Sequence, residues 1–506
     1  MSRTIAIDFG TTNSSMATFN DNKFLVIPNS EGELFTPSVV AFTKDGKLLV
    51  GQTAKSQAIN NLERTIFSVK RKIGTNHIYS IGIEKYTPTD IVAMLLKKLK
   101  KDAESYLGES IKKAVITVPS YFSNAQRQAL FEAGKMIELE VLRLISTPSA
   151  IGLDYILREK EEKKKIVLVF DFGGGSLSIS VLEIGYGVVE VKATIARTML
   201  GGMDYDIKVF NHISDRFIKE STFDIRNDPI ACQRLLETAE SAKIELSAVN
   251  STDIYIPYIC NIQGEMKNLQ TALDRATFDG LTEDLTEKAV KLIHHVLYGR
   301  YETFMPEDID LVLLAGGSTR LFSFKTAINK IFGGNAKVMI SSSEAIMRGA
   351  SYYTAVLAGD KDEPILLEVY PFSVGIETND GNYIKIIHRN DIIPTEGRHI
   401  ITTANDNQSD LELHVLQGEH PKATNNISLG RYVFEGIPPA PRGLPKIEVC
   451  ITIYANYLIM LSIKDLGTSK EKIYRINSLC KNDEDYLDLM DLESINNNYN
   501  DKADNN

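Results

Sequence analysis

The feature that most constrains this chain is a plan written twice. Residues 5–15, IAIDFGTTNSS, and residues 168–178, LVFDFGGGSLS, each run an apolar strand into Asp-Phe-Gly. Small and hydroxyl residues follow, then a second strand. A third glycine turn, LLAGGSTRL at 313–321, also follows an apolar strand. Glycine lets main-chain N–H groups approach an anion closely and permits positive φ. Successive N–H groups in such turns form a concave anion site. Two such hairpins facing each other grip a polyphosphate from both sides. An Asp at each strand end, Asp8 and Asp171, is placed to bind water around a divalent cation. Any one of these turns alone reads as an ordinary tight turn.

Other readings of the glycines fall away. No HRD loop or VAIK strand accompanies the DFG triplets, so they are not those of a protein kinase. No GxxxxGK[ST] occurs, so there is no P-loop. The chain has 506 residues, 43% hydrophobic and 24% charged, which is ordinary globular composition with material for more than one core. A net charge of −10 argues against nucleic acid or an anionic membrane as partner. No apolar stretch approaches the roughly 18 residues of a spanning helix, and the start reads as a strand without a signal-peptide core. Cys232, Cys260, Cys450 and Cys480 are scattered with no CxxC pair, which suggests neither a zinc site nor a disulfide framework. A cytoplasmic location is expected.

Short strand runs alternate with helical patterns up to about residue 357, an α/β layout. TIAIDF, SVVAFT, KAVITVP, KIVLVFDF and DLVLLAG read as strands. PTDIVAMLLKKLKKDAESYL, NAQRQALFEAGKMI and ACQRLLETAESAKIELSAV read as helices. The polar stretch AGDKDEP at 358–364 marks a boundary, and ILLEV follows. From Tyr370 to about Ile476 the pattern is all β, with SVGIET, YIKIIH, LELHVLQ, YVFEGI, KIEVCITIY and YLIMLSIKD as strands. The expected domains are therefore 1–360, a linker at 361–369, a β domain at 370–476 and an acidic, Asn-rich tail at 477–506 expected to be disordered.

Taken together, the three glycine turns match the two-lobed architecture of the actin, sugar-kinase and chaperone ATPase superfamily. VKRKIG (69–74), ITVPSYFSNAQRQA (116–129), YPFSVGIET, DNQSDLELHVLQGE (406–419) and GIPPAPRGLPKIEV (436–449) narrow it. With them the chain resembles the seventy-kilodalton heat-shock chaperones, from its first strand to about residue 476. Sugar kinases and actins carry no such β domain. The resemblance implies an actin-like ATPase domain followed by a peptide-binding β-sandwich, with ATP or ADP, Mg2+ and K+ as cofactors. It places the phosphates at Gly10, Thr11, Thr12 and Asn13, at Gly173, Gly174 and Gly175, and at Gly201 and Gly202. Adenosine falls to Glu240, Lys243 and Ser247, and to Gly316, Gly317, Ser318 and Arg320. Asp8 and Asp171 match acids that hold metal-bound water, Ser176 keeps a family hydroxyl, and Lys70 matches the catalytic lysine, whose charge stabilises a phosphoryl group in transfer. Outside the family context Lys70 would read as a surface lysine, and Glu240, Lys243 and Ser247 as a solvated helix face.

The departures from the family matter as much. Thr147 stands where the family has a glutamate that organises water and metal, and a threonine carries no charge near neutrality. Ser178 replaces a family Asp. Ile244 replaces a basic residue that packs on adenine, and Ser343 replaces an acid. Losing one carboxylate from an ion shell costs on the order of a hundredfold in rate. Slow hydrolysis with retained binding is the expectation, and a nucleotide-binding holdase or co-chaperone partner without turnover is the alternative.

For coupling, the resemblance points to Pro119, Arg127, Leu366, Leu367 and Glu368, and to Arg143 as a contact for a J-domain co-chaperone. Pro364 removes an N–H before the linker, an expected weakening of strand-like docking. The implied peptide groove takes Ile376, Thr378, Ile401, Ala404 and Leu411, with Ile376 and Leu411 equally readable as core. Asn379 makes one side of the groove polar. Implied partners are unfolded or extended polypeptides, a J-domain protein and a nucleotide exchange factor, with the chain itself a monomer. The chain stops short of the family's helical lid, so fast peptide release is expected.

Overall fold

A computed structural model describes residues 3–20, 23–159, 163–297, 303–333, 337–340, 344–359 and 364–476. Ser343, part of the expected linker and the whole tail from 477 lie outside the described residues.

The duplicated plan becomes duplicated sheets. In the first lobe β1 (Thr4–Asp8), β2 (Asn13–Asn20), β3 (Lys23–Ile27), β4 (Lys113–Val118) and β5 (Glu140–Ser146) lie in the order β5-β4-β1-β2-β3. β1 pairs antiparallel with β2 and parallel with β4. In the second, β6 (Lys165–Phe172), β7 (Ser176–Gly185), β8 (Val188–Thr198), β9 (Leu311–Ala315) and β10 (Lys337–Ile340) lie in the order β10-β9-β6-β7-β8. β6 pairs antiparallel with β7 and parallel with β9. The glycine turns thus leave the same point of each sheet. Their acids take the same register: Asp8 opposes Ser15, and Asp171 opposes Ser178. The parallel strands β4 and β9 are buried along nearly their whole length and mostly apolar, as strands covered on both faces are.

Helices form where the sequence supplies caps. α1 (Pro88–Leu107) has Pro in its first turn and a reciprocal Thr87–Asp90 capping box. α2 (Asn124–Met136) starts on a Ser123–Gln126 box. α3 (Thr147–Glu159) follows β5 directly, so Thr147 sits at a strand-to-helix junction. α4 (Gly202–Ser221) and α5 (Pro229–Leu246) follow β8.

The stretch ILLEVY forms β11 (Ile365–Tyr370), which adds to the second sheet. It pairs parallel with β8 from Val188↔Ile365 to Glu190↔Leu367, and on its other side antiparallel with Asp391–Ile393 of the β domain. Pro364 immediately precedes this strand. Pairing begins one residue later, where Ile365 N–H donates to Gly187 C=O at 2.8 Å.

Beyond it the β domain is a sandwich. One sheet is β12 (Val374–Glu377), β13 (Tyr383–Ile387), β16 (Asp410–Gln417) and β17 (Ile427–Glu435) in the order β13-β12-β16-β17, where β14 denotes Asp391–Ile393 and β15 denotes Thr395–Ile401. The other is β15, β18 (Ile447–Ile453), β19 (Ile459–Asp465) and β20 (Glu471–Arg475) in chain order. Inward residues alternate strictly along β19. Buried residues of the first lobe, from Ile5 to Leu144, and of the sandwich, from Tyr370 to Ile476, form one contiguous apolar cluster.

Candidate nucleotide site and its coupling to the sandwich

Four turns converge, and each is shaped by the absence of a side chain. A Cβ on Gly10 would lie 1.9 Å from Asn13 O. On Gly174 it would meet Thr12 Oγ1 at 2.5 Å, and on Gly175 Thr11 Oγ1 at 2.8 Å. The hairpin of one lobe therefore touches that of the other through its two threonines. Gly201 closes on Gly174 O, and Gly202 N–H donates to Gly173 O at 3.0 Å. Gly316, at φ +85°, would drive a Cβ to 2.3 Å from Phe172 O, and Ser318 Oγ donates to Gly173 O at 2.8 Å. Gly173 and Gly317 face open space. Residues 10–13, 173–175, 201–202 and 316–318 are thus brought together as one main-chain surface.

At its acidic end Lys70 reaches across from its 3-10 turn. Its Nζ donates to Phe9 O and lies 5.7 Å and 5.6 Å from the ring centres of Phe9 and Phe122. Burial lowers the Lys70 pKa, against the pull of Asp8 and Asp171. Burial raises Asp8, opposed by Lys70 and by the Thr117 hydroxyl, which donates to it at 2.5 Å. Burial also pushes Asp171 up to about 6; Lys70 opposes this, the Asp8 charge adds to it, and a hydrogen bond from Thr147 opposes it.

Thr147 is buried and donates to Val118 O at 3.2 Å. Its hydroxyl fills the place beside Asp171 but offers no carboxylate. Ser178 is 1% exposed, and its Oγ has no hydrogen-bond partner among the described residues. The Ser176 hydroxyl hydrogen-bonds the buried Tyr121 phenol. A cavity of about 40 Å³ lies between Lys70, Thr11, Gly175, Ser176 and Tyr121, room for a water or two.

The sequence reading missed several participants. Arg71, next to Lys70, donates to Gly175 O at 2.9 Å and to Asp204 Oδ2 at 3.0 Å, while Gly201 N–H donates to the same carboxylate at 2.7 Å. This braces one lobe's turn on the other lobe's cation. The spacing of Asp204 three residues after Gly201 is a helix-start signal that pointed to it.

Of the residues expected on the adenosine side, Glu240 is half-buried on α5, Ser247 is half-buried at its C-terminal cap and Arg320 is exposed. Lys243 is buried and pairs with Asp206 at 2.7 Å, with its ammonium 3.2 Å from Gly202 O. Burial pushes Asp206 up to about 6 against Lys243. Ile244 is 60% exposed.

The residues expected to couple the domains lie at the seam between lobe and sandwich. Glu368 is 1% exposed and accepts from Ser146 N–H and Ser149 Oγ, both at 2.9 Å, with Arg143 at 3.6 Å. Arg143 donates to Tyr353 OH at 2.7 Å. Leu366 and Leu367 are half-buried and Pro119 is buried. Arg127 is wholly buried, donating to Phe122 O and Ser120 O, and lies over the Tyr457 ring. Arg389 of the sandwich donates to Thr194 O at 2.9 Å, and the Thr194 hydroxyl donates to Ser120 and contacts Ser180.

In the sandwich Ile376 is 2% exposed and belongs to the core, Ile401 and Leu411 are half-buried and packed against it, and Ala404 is exposed. The Thr378 hydroxyl is held within its own turn by Asp380 and Asn382 O.

Paired strand–Asp–Gly hairpins in two similar sheets, a third glycine turn and an appended sandwich define an actin-like ATPase fold joined to a β-sandwich. The sequence model of the family described as Hsp70 protein matches residues 4–81 and 76–506. The chain belongs to the Hsp70 family, a family of ATP-binding chaperones. Among the described residues no helix is long and apolar enough to cross a membrane.

Proposed function

We propose that this protein binds ATP or ADP between its lobes, hydrolyses ATP slowly, and couples that occupancy to capture of extended apolar polypeptide by the sandwich. The observation that carries the reading is the contact of Thr11 and Thr12 with Gly175 and Gly174, with Lys70 beside both Asp8 and Asp171. Main-chain amides supply most of the phosphate contact, so binding survives the changes at Thr147 and Ser178.

Magnesium fits here in one form only. Among the described residues no cluster of three or more His, Cys, Asp or Glu is placed to hold a metal. Asp8 and Asp171 suit an ion carried by nucleotide phosphates and water, and when bound it would neutralise phosphate charge. Lys70 would orient and stabilise the departing phosphoryl group. Thr147 cannot take a proton from an attacking water, because its hydroxyl is neutral and donates to Val118 O. The seam at Glu368, Arg143 and Arg127 is the route by which lobe closure reaches the sandwich.

Single-turnover hydrolysis is the test. A rate well below that of a conventional Hsp70 is expected, with nucleotide binding intact by calorimetry. A conventional rate would refute the charge-deficit reading, and indifference to both ATP and ADP would refute the site. For the sandwich, fluorescence anisotropy with Leu- or Ile-centred peptides is expected to show micromolar, fast-exchanging binding. A second reading, a nucleotide-binding holdase without turnover, is favoured specifically by the unpartnered Ser178 hydroxyl opposite Asp171.

A further inference from the structure

The turn between β18 and β19 holds a residue that local structure alone does not favour. Tyr457 sits at φ +64°, the left-handed region, which a bulky side chain occupies only when its surroundings fix it there. The turn is closed by Tyr457 N–H to Tyr454 O at 2.8 Å and Tyr454 N–H to Leu458 O at 3.0 Å, bonds that glycine would make without strain. What fixes Tyr457 lies in the other domain. Its ring is 1% exposed and lies under the Arg127 guanidinium, 3.4 Å from carbon to ring centre. Arg127 is 0% exposed, and its Nη1 has no hydrogen-bond partner among the described residues. The aromatic face thus adds to the Phe122 and Ser120 carbonyls in compensating that buried cation. Glu368 of β11 and Arg143 of β5 lie near enough for their charges to act on the same buried phenol. One sandwich side chain therefore touches the helix and feels the charges of the strand and the linker that meet at the seam.

We infer that Tyr457 is a latch that holds the sandwich and the linker strand docked on the lobes whether or not nucleotide is bound. Separation would strip Arg127 of its aromatic face and expose a strained tyrosine to water, so both surfaces favour staying together. Two further bonds close the same seam: Asn124 Nδ2 to Ile476 O at 3.0 Å, and Arg475 to Gln128 at 2.9 Å. The latch would leave nucleotide to tune the seam and not to create it.

Hydrogen exchange of the full-length protein tests this at the amides of residues 365–370. In the nucleotide-free wild type they are expected to be protected, with ATP slowing their exchange little further. Tyr457→Gly is expected to speed their exchange roughly tenfold to a hundredfold, the worth of a desolvated cation–π contact with its packing, while Tyr457→Phe keeps the ring and the protection. Amides of β6 and β18 report in the same spectra that each domain remains folded. Linker amides unprotected in nucleotide-free wild type, or protected only with ATP, would overturn the latch. So would protection unchanged by Tyr457→Gly. None of these readouts depends on turnover, so a failed latch and a failed nucleotide site remain distinguishable.

Discussion

Asp171 and Ser178 face each other across one strand pair, and Thr147 is a second uncharged side chain beside Asp171. Restoring acids through Thr147→Glu with Ser178→Asp is expected to raise the single-turnover rate by about tenfold or more, because a carboxylate beside the reacting water and ion acts only in the transition state. No gain in rate with binding unchanged would place the deficit elsewhere. Asp171 also sets a pH dependence. Its pKa is raised to about 6 in the fold from 3.8. The ionised form is the one the fold disfavours, so this group costs stability above about pH 6, and that cost is relieved as pH falls from 6 toward 3.8. Its charge is what a magnesium nucleotide requires, so calorimetric affinity is expected to fall as pH drops through 6, and Asp171→Asn should flatten the profile. The glycines were legible in the sequence because nothing else fits: Gly316 needs φ +85° and a contact no Cβ survives. Tyr457 was not, since an aromatic beside a strand reads as ordinary core and its partner is 330 positions away in Arg127 by their numbers. Nor was the Lys243–Asp206 pair, which helix-face spacing cannot reveal.

Among elements, β11 decides how the domains meet. It is bounded by β8 on one side and β14 on the other, so lobe and sandwich share one hydrogen-bonded sheet. Leu366, opposite Val189, packs on the apolar cluster behind β8. Leu366→Asp is expected to weaken docking by about 2 kcal/mol through burial of an unpaired charge, seen as faster proteolysis at residues 359–368. A linker equally resistant after the change would show that β11 pairing does not hold the seam. Helices α1, α2 and α5 could be read from their caps and periodicity, and the strands around the glycine turns from their apolar runs. The hairpin Ser251–Ile262 with Glu265–Asp274 and strand β15 were not picked out. The hairpin alternates buried and exposed residues and β15 half-buried and exposed ones, so neither presents a continuous apolar run. β15 also carries Gly397, whose Cβ would strike Ile386 O at 2.4 Å. A glycine in that pattern reads as a turn until its neighbour is known.

At the scale of the molecule, the first lobe and the sandwich bury one apolar cluster between them. Calorimetry of the full chain should therefore show those two parts unfolding in a single transition, and Tyr457→Gly should separate it into two. Two transitions in the wild type would mean the shared cluster contributes little to cohesion. The architecture as a whole was foreshadowed by repetition in the sequence and strand-like docking by the resemblance, whereas the docking register was not, because a parallel β8–β11 pairing leaves no mark on either strand alone.

The common core also bears on how the protein can be handled at the bench. A sandwich expressed by itself would present the cut surface around Phe372 and Tyr457 to solvent, and a lone pair of lobes would present Arg127 with nothing over it. Fragments prepared for screening would tend to clump, and co-expressing both halves, so that each covers the other as it emerges, is the sounder route to usable material.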